Sequence, residues 1–154
     1  KSMGLKPSHI DSHEGALFFD PNIFKIYIDL AVENDLLAFV PIEASMHFNG
    51  ELEKPSNAVI IDQFHMLHGG TKVEDIKNFY FNVVRNLKPG LSQIIIHLGK
   101  DEPVLKKITV DHPNFDYRWR QKDHDIINSK EFKNLLKEND IKLISWIDLK
   151  KALL

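Results

Sequence analysis

Hydrophobic and polar positions follow each other along the chain in a pattern typical of strands that alternate with helices. Short apolar runs predict strands at residues 5–10, 36–42, 58–61, 93–97 and 141–145. The fourth of these runs contains three consecutive isoleucines, which are β-branched. We therefore expect this strand to be buried on both faces, as strands of parallel sheets are.

Helix start signals lie between the apolar runs. Asp20 predicts an N-cap and Pro21 the first residue of a helix, after which apolar residues recur at helical spacing. Thr71 and Glu74 predict a capping box for a second helix, which ends near Asn86.

The C-terminal half adds two helices and a long segment without clear periodicity. Ser129 predicts the cap of a helix that runs through Glu138, and residues 147–153 predict a last short helix. Residues 98–128 are predicted to be irregular, and loops of that length are uncommon unless they have a function. The order of elements favours βαβ units, so we predict an α/β fold with a parallel sheet in a single domain, residues 1–154. The pattern leaves open whether the sheet is flat or rolled into a barrel.

Composition narrows the classes of protein further. The chain has 154 residues, 43% of them hydrophobic, which is enough for a domain with a real core. Its net charge of −2 comes from basic and acidic residues that are mixed along the chain, so we expect no nucleic-acid partner. The absence of cysteine excludes disulfides and fits a cytoplasmic location. We expect neither a membrane span nor a signal peptide, because the chain lacks an apolar run of the required length.

A histidine-rich polar cluster follows the first predicted strand. His9, Asp11 and His13 are alternate residues, and in an extended segment they would share one face. Two imidazoles and a carboxylate are a ligand set that suits Zn²⁺ or a similar divalent ion. Asp11 could instead orient a ligand histidine from outside the coordination sphere. A polar loop whose histidines make only local hydrogen bonds is the structural alternative.

A second candidate residue, His97, comes directly after the three isoleucines. Parallel α/β folds place their sites where strands end, which favours a function for this histidine over a bond to the backbone alone. Tyr117, Trp119 and Arg120 lie in the segment predicted to be irregular, and such residues suit sugar stacking and hydroxyl recognition. Packing aromatics and a structural salt bridge are their alternatives. Motifs of serine hydrolases, P-loop nucleotidases and dinucleotide-binding dehydrogenases are absent from the sequence.

Four segments of the chain match motifs of one known family, in the right order. Residues 6–13, KPSHIDSH, resemble a segment KPTHxDSHxH, and residues 95–99, IIHLG, are similar to an HPG/HPA segment. Residues 117–129 resemble R-x-x-[DE]-x-D-x-L-x-S, and residues 141–146 resemble a closing GIxLIsW strand. These motifs belong to the YdjC-like (ChbG/HpnK) carbohydrate deacetylases, and the resemblance spans nearly the whole chain.

The resemblance implies a (β/α)-barrel-like fold and metal-dependent removal of N-acetyl groups from amino sugars or oligosaccharides. The implied cofactor is a divalent metal ion, Mg²⁺ or Zn²⁺. The family's ligands are an Asp of an N-terminal DDFG motif, a His of an early strand and the His of DSH, which corresponds to His13. The first two motifs do not occur here, so we expect the C-terminal portion of a family domain, an incomplete barrel lacking N-terminal strands. Glu14, Gly15 and Leu98 depart from the family pattern, which puts the substrate in doubt.

The implied mechanism gives roles to the candidate residues. His97 would protonate the departing amine or stabilise the tetrahedral intermediate, and an N-terminal carboxylate of the family would act as base. Asp11 would hold His13 or His9 in the right tautomer. Arg120 would anchor the substrate or brace the long segment through Asp123 or Asp125. A structural salt bridge is the alternative for Arg120, and the sequence favours neither.

The sequence also fits three alternatives to an active deacetylase. The first is a different metal-dependent hydrolase on a barrel fold, such as a phosphoesterase. The second is a catalytically incompetent fragment or a degenerate, sugar-binding relative, which the missing ligands would favour. The third is completion of the barrel by another chain, because an incomplete parallel sheet exposes an unpaired edge and favours a homodimer.

Overall fold

The computed structural model describes residues 4, 6–48 and 57–154. Contacts divide the chain into two compact units, residues 1–63 with 143–154 and residues 64–142. Two predictions concern residues outside the described ones. The expected absence of a signal peptide concerns residues 1–3, and the first predicted strand starts at Leu5. The elements, in chain order, are β1 His9–Ile10, α1 Pro21–Glu33, β2 Leu37–Pro41, α2 Ile42–His47, β3 Ala58–Ile61, β4 Gln63–Met66, α3 Ile76–Asn86, β5 Ser92–Ile95, α4 Pro103–Ile108, α5 Tyr117–Asn128, α6 Lys130–Glu138 and α7 Trp146–Leu153, with short 3₁₀ helices at His13–Phe18 and Pro113–Phe115.

The first unit is built on a parallel sheet of three strands in the order β1-β2-β3. His9 pairs with Leu37 across the first ladder, and the second ladder runs from Ala38 opposite Ala58 to Pro41 opposite Ile61. The predicted parallel pairing is therefore confirmed in this sheet. Parallel ladders place the carboxyl ends of β1, β2 and β3 at one edge.

Helix α1 covers this sheet through its apolar face. Its cap is the predicted Asp20, whose carboxylate accepts hydrogen bonds from the backbone amides of Asn22 and Ile23. The Tyr27 hydroxyl lies 2.9 Å from the carbonyl oxygens of both Ile10 and Phe39, which ties α1 to β1 and β2. The buried core of the unit comprises Phe24, Tyr27, Ile28, Ala31, Ala38, Val40, Ala44 and Phe48.

The second unit packs three helices around its own core, beside the two-stranded sheet of β4 and β5. Asp116 caps α5 by accepting from the amides of Arg118 and Trp119, and Ser129 caps α6 as predicted. The buried core comprises Leu67, Ile76, Tyr80, Phe81, Val84, Trp119, Ile126, Phe132, Leu135 and Leu136. In the part of the chain that the structure describes, none of the helices could cross a membrane.

Several predicted elements differ from the structure. Residues 98–128 are not irregular, because they contain α4 and α5. Helix α3 begins at Ile76 rather than after Thr71, whose hydroxyl donates to the carbonyl of His68 in a turn. The predicted strand at 141–145 has no regular structure, and Leu143 within it is 77% exposed. Strand β5 is half-buried rather than enclosed on both faces.

Candidate functional site

The polar segment after β1 changes conformation before it reaches His13. Strand β1 ends at Ile10, and the 3₁₀ helix begins at His13 behind the N-cap residue Ser12. The Ser12 hydroxyl is buried and accepts from the amide of Leu17, while Asp11 accepts from the amide of Ser12 at 2.6 Å. The alternation that would place His9, Asp11 and His13 on one face therefore stops short of the third residue.

His9 and His13 have different surroundings. The His9 ring stacks on Trp146, with centroids 4.3 Å apart and planes 8° from parallel. Its Nδ1 lies 3.1 Å from the Ser8 hydroxyl. Burial lowers the pKa of His9, and the charge of Asp11 opposes this shift. His13 is exposed, and its ring makes no hydrogen bond within the described part of the chain.

The histidine and aspartate side chains of this segment are of the kinds that bind divalent ions, but too few of them come together to form a site. Among residues 4, 6–48 and 57–154, no group of three or more His, Cys, Asp and Glu side chains is arranged to hold a metal ion. His13 is available as a single imidazole ligand, whereas the His9 ring is engaged by Trp146. The described residues therefore do not assemble a complete metal site by themselves.

The second cluster surrounds His97, two residues beyond the end of β5. Its ring centroid lies 5.4 Å from that of Phe115 and 5.8 Å from that of Trp119. Its Nδ1 is buried and has no hydrogen-bond partner in the described part of the chain. Burial lowers the pKa of His97, the cation of Arg120 lowers it further, and Asp123 opposes both effects. The neutral imidazole is consequently the dominant form at pH 7.

Asp123, on α5, holds the backbone of this histidine. Its carboxylate is fully buried, and it accepts a hydrogen bond from the amide of His97 at 2.7 Å. The other carboxylate oxygen accepts from the hydroxyl of Tyr80 on α3. The sequence indicates Asp123 only as a partner for Arg120. The R-x-x-D spacing marked Asp123 as a candidate, but nothing in the sequence pointed to Tyr80.

The three residues considered for substrate binding have distinct positions. Arg120 is half-buried, and its Nε donates to the carbonyl of Phe115 at 3.0 Å, so it braces this segment through the backbone and not through Asp123 or Asp125. Tyr117 is half-buried, with the Lys106 ammonium 4.9 Å from its ring centroid. Trp119 is only 2% exposed and belongs to the core, so the face of its ring packs against protein.

These features define a class of protein: an α/β protein with parallel strands and with histidines placed where strands end. A family model described as "YdjC-like protein" matches residues 1–138. The chain therefore belongs to the YdjC-like family.

A solved structure supports the fold assignment. The crystal structure of a "putative cellobiose-phosphate cleavage protein" from Enterococcus faecalis V583 is similar to this chain, with a TM-score of 0.67 and 20% sequence identity. The match covers 96% of this chain and 55% of that one, so the chain spans about half the length of this structure. The predicted α/β fold, with parallel strands of an incomplete barrel-like fold, is confirmed. None of the curated proteins matches the chain.

Proposed function

We propose that the chain is part of a metal-dependent carbohydrate deacetylase, which hydrolyses the N-acetyl group of an amino sugar or oligosaccharide. Membership of the YdjC-like family supports a carbohydrate-processing enzyme. The observation that carries the finer proposal is His97, a mostly neutral imidazole held beside Arg120 at the end of a strand.

His97 moves the proton that amide hydrolysis requires. Attack of water on the acetyl carbon forms a C–O bond, and cleavage of the C–N bond then releases acetate and a free amine. The amine nitrogen must gain a proton as it leaves. Because the ring is mostly neutral at pH 7, His97 can accept a proton from the attacking water and then donate it to the amine.

His13 is the residue of this chain that we propose as a metal ligand, with His9 as a second candidate that would have to leave Trp146. A divalent ion, when bound, supplies polarisation of the acetyl carbonyl and lowers the pKa of water. Asp11 accepts from the amide of Ser12, and through this bond it fixes the backbone immediately before His13.

Arg120 and Tyr117 are the proposed substrate contacts. The Nε of Arg120 is used by Phe115, while its two terminal nitrogens make no hydrogen bond within the described part of the chain. Guanidinium N–H groups donate well to sugar hydroxyl oxygens. Tyr117 offers a half-buried ring, with the Lys106 ammonium 4.9 Å from its centroid. Trp119 acts by packing on the His97 ring rather than by stacking on a sugar.

A sugar-binding relative without catalytic activity is the second candidate. It is favoured by the absence, among the described residues, of a three-ligand metal group. Such a protein would bind N-acetylated sugars and leave their acetyl groups in place.

Acetate release distinguishes the two candidates. The chain is incubated with N-acetylated amino sugars and oligosaccharides in the presence of Zn²⁺ or Mg²⁺, and acetate and free amine are measured. We expect equal amounts of both products, and a loss of roughly 10²-fold or more in His97→Gln. The matched control is His112→Gln, an exposed histidine of the same unit, which should retain full activity. Sugar binding without acetate release would favour the second candidate.

A further inference from the structure

Alternate backbone amides after β5 donate hydrogen bonds to acceptors on α5. The three bonds run from His97 to the Asp123 carboxylate at 2.7 Å, from Gly99 to the Arg120 carbonyl at 3.2 Å and from Asp101 to the Gln121 side-chain oxygen at 2.6 Å. Since β5 ends at Ile95, these amides lie beyond the strand, and α5 supplies their acceptors. Helix α5 therefore determines where residues 97–101 lie.

The first of these bonds, from the His97 amide, is accepted by a buried carboxylate, that of Asp123. Asp123 is 0% exposed, and within the described chain it forms no ion pair with a Lys, Arg or His side chain. Burying a carboxylate costs more free energy than burying a neutral amide that could accept the same bond. Its two hydrogen-bond donors, Tyr80 and the amide of His97, offset part of this cost.

The negative charge has a second effect that a neutral acceptor would lack. Asp123 interacts electrostatically with the His97 ring and favours its protonated form, against burial and the charge of Arg120. In the proposed mechanism the ring must hold a proton between attack on the carbonyl and departure of the amine.

We propose that Asp123 is a positioning residue for His97: it fixes the histidine through the backbone amide, and its charge stabilises the protonated ring. This inference rests on the proposed deacetylase function. Tyr80, which donates to the other carboxylate oxygen, holds Asp123 in place and reduces the charge that His97 experiences.

The test is an NMR titration of the His97 ring in two variants with opposite expected effects. Asp123→Asn keeps an oxygen that can accept from the His97 amide but removes the charge, so the pKa of His97 should fall. Tyr80→Phe keeps the charge and removes its hydroxyl donor, so the pKa should rise. Asp111→Asn, which removes an exposed carboxylate of the same unit, is the matched control and should change nothing.

Activity provides the second measurement. In Asp123→Asn, kcat for acetate release should fall by up to about 10²-fold while KM changes little, because the substrate contacts are intact. If Asp123→Asn does not fold, the proposal is tested by the pKa of His97 in Tyr80→Phe. An active wild type in which neither variant moves the His97 titration overturns the proposal. A titration that moves as expected in a protein that releases no acetate supports the coupling and contradicts the proposed function instead.

Discussion

At the scale of single residues, the buried pair of Tyr80 and Asp123 connects the core of the second unit to His97. Tyr80 is 0% exposed, and burial raises the pKa of its hydroxyl, as does the bond to Asp123. The hydroxyl therefore remains a donor throughout the working pH range. Loss of either partner would leave a buried polar group without its hydrogen bond.

Tyr80→Phe should consequently lower the free energy of unfolding by about 1–3 kcal/mol, the range for leaving a buried acceptor unsatisfied. Tyr117→Phe is the matched control, since its ring is half-buried and its hydroxyl makes no hydrogen bond within the described residues. Urea denaturation followed by circular dichroism measures both. Equal stability of the two variants would contradict the importance of the Tyr80–Asp123 bond.

The sequence predicted part of the residue-scale arrangement. His97 was identified because histidine follows three isoleucines, and the structure places it just beyond β5. Stacking of His9 on Trp146 was not predictable, because the two residues are far apart in sequence and meet only through the fold. Likewise, the partner of Asp123 on α3 follows from helix packing, which a single sequence does not specify.

At the scale of elements, the approach of residues 97–101 to α5 depends on Gly99. A Cβ at this position would lie 2.6 Å from a methyl group of Leu105 and 3.1 Å from Cβ of Arg120. The Leu105 methyl can move because it ends a flexible side chain, whereas Cβ of Arg120 is fixed by the helix backbone.

Gly99→Ala should therefore destabilise the protein by about 1–3 kcal/mol, as overpacking does, and should displace Arg120. Lys100→Ala is a control that changes the next, exposed residue of the same segment. Thermal unfolding and acetate release test the two effects together. A Gly99→Ala protein with normal stability and normal KM would contradict the close approach.

The cap of α1 allows a second prediction at this scale. Asp20→Ala removes the acceptor for two backbone amides and should cost about 1 kcal/mol of unfolding free energy. Asp29→Ala, on the same helix, removes only an exposed ion pair with Lys25 and should cost less than about 0.5 kcal/mol. Chemical denaturation of the two variants measures the difference, and equal losses would argue against the cap.

Elements with strong local signals were predicted well, and the others were not. Helices α1 and α6 have side-chain caps at Asp20 and Ser129, and both caps were identified from the sequence. Helix α5 was missed because its sequence, YRWRQKDHDIIN, is mostly polar and shows little apolar periodicity. The apolar run at 141–145 was assigned to a strand, yet it finds no strand partner among the described residues, and strand formation depends on such a partner.

At the scale of the whole molecule, His9 and His97 link stability to pH. Burial lowers the pKa of both rings in the folded state, so the unfolded chain binds protons more readily than the folded one. Their contribution is fully present above the unfolded pKa of about 6.5 and is lost as pH falls from there through the folded values.

We therefore expect the free energy of unfolding to decrease as pH falls from about 7.5 towards 5. One histidine can change the free energy of unfolding by at most about 1.4 kcal/mol per pH unit, the limit for one proton. Both rings are partly exposed, so we expect the slope due to each to stay below this limit. Urea denaturation across this range measures it, and His97→Gln should flatten the curve. His112→Gln should leave it unchanged. A flat wild-type curve would contradict the burial of these two rings.

We also predict that the chain associates with a second copy of itself. Large apolar side chains of α4 and its surroundings are exposed, among them Val104 at 70% and Val110 at 73%. Exposed apolar surface favours association. Sedimentation of the chain alone measures its oligomeric state, and a homodimer is the expected result.

Metal-dependent deacetylation is tested by measuring acetate release from N-acetylated sugars with and without a chelator. We predict acetate and free amine in equal amounts with Zn²⁺ or Mg²⁺, none after chelation, and none in His13→Ala. His47→Ala, an exposed histidine of the same unit, should behave as the wild type. Acetate release that survives both chelation and His13→Ala, or no acetate release under any of these conditions, would contradict metal-dependent deacetylation by this chain.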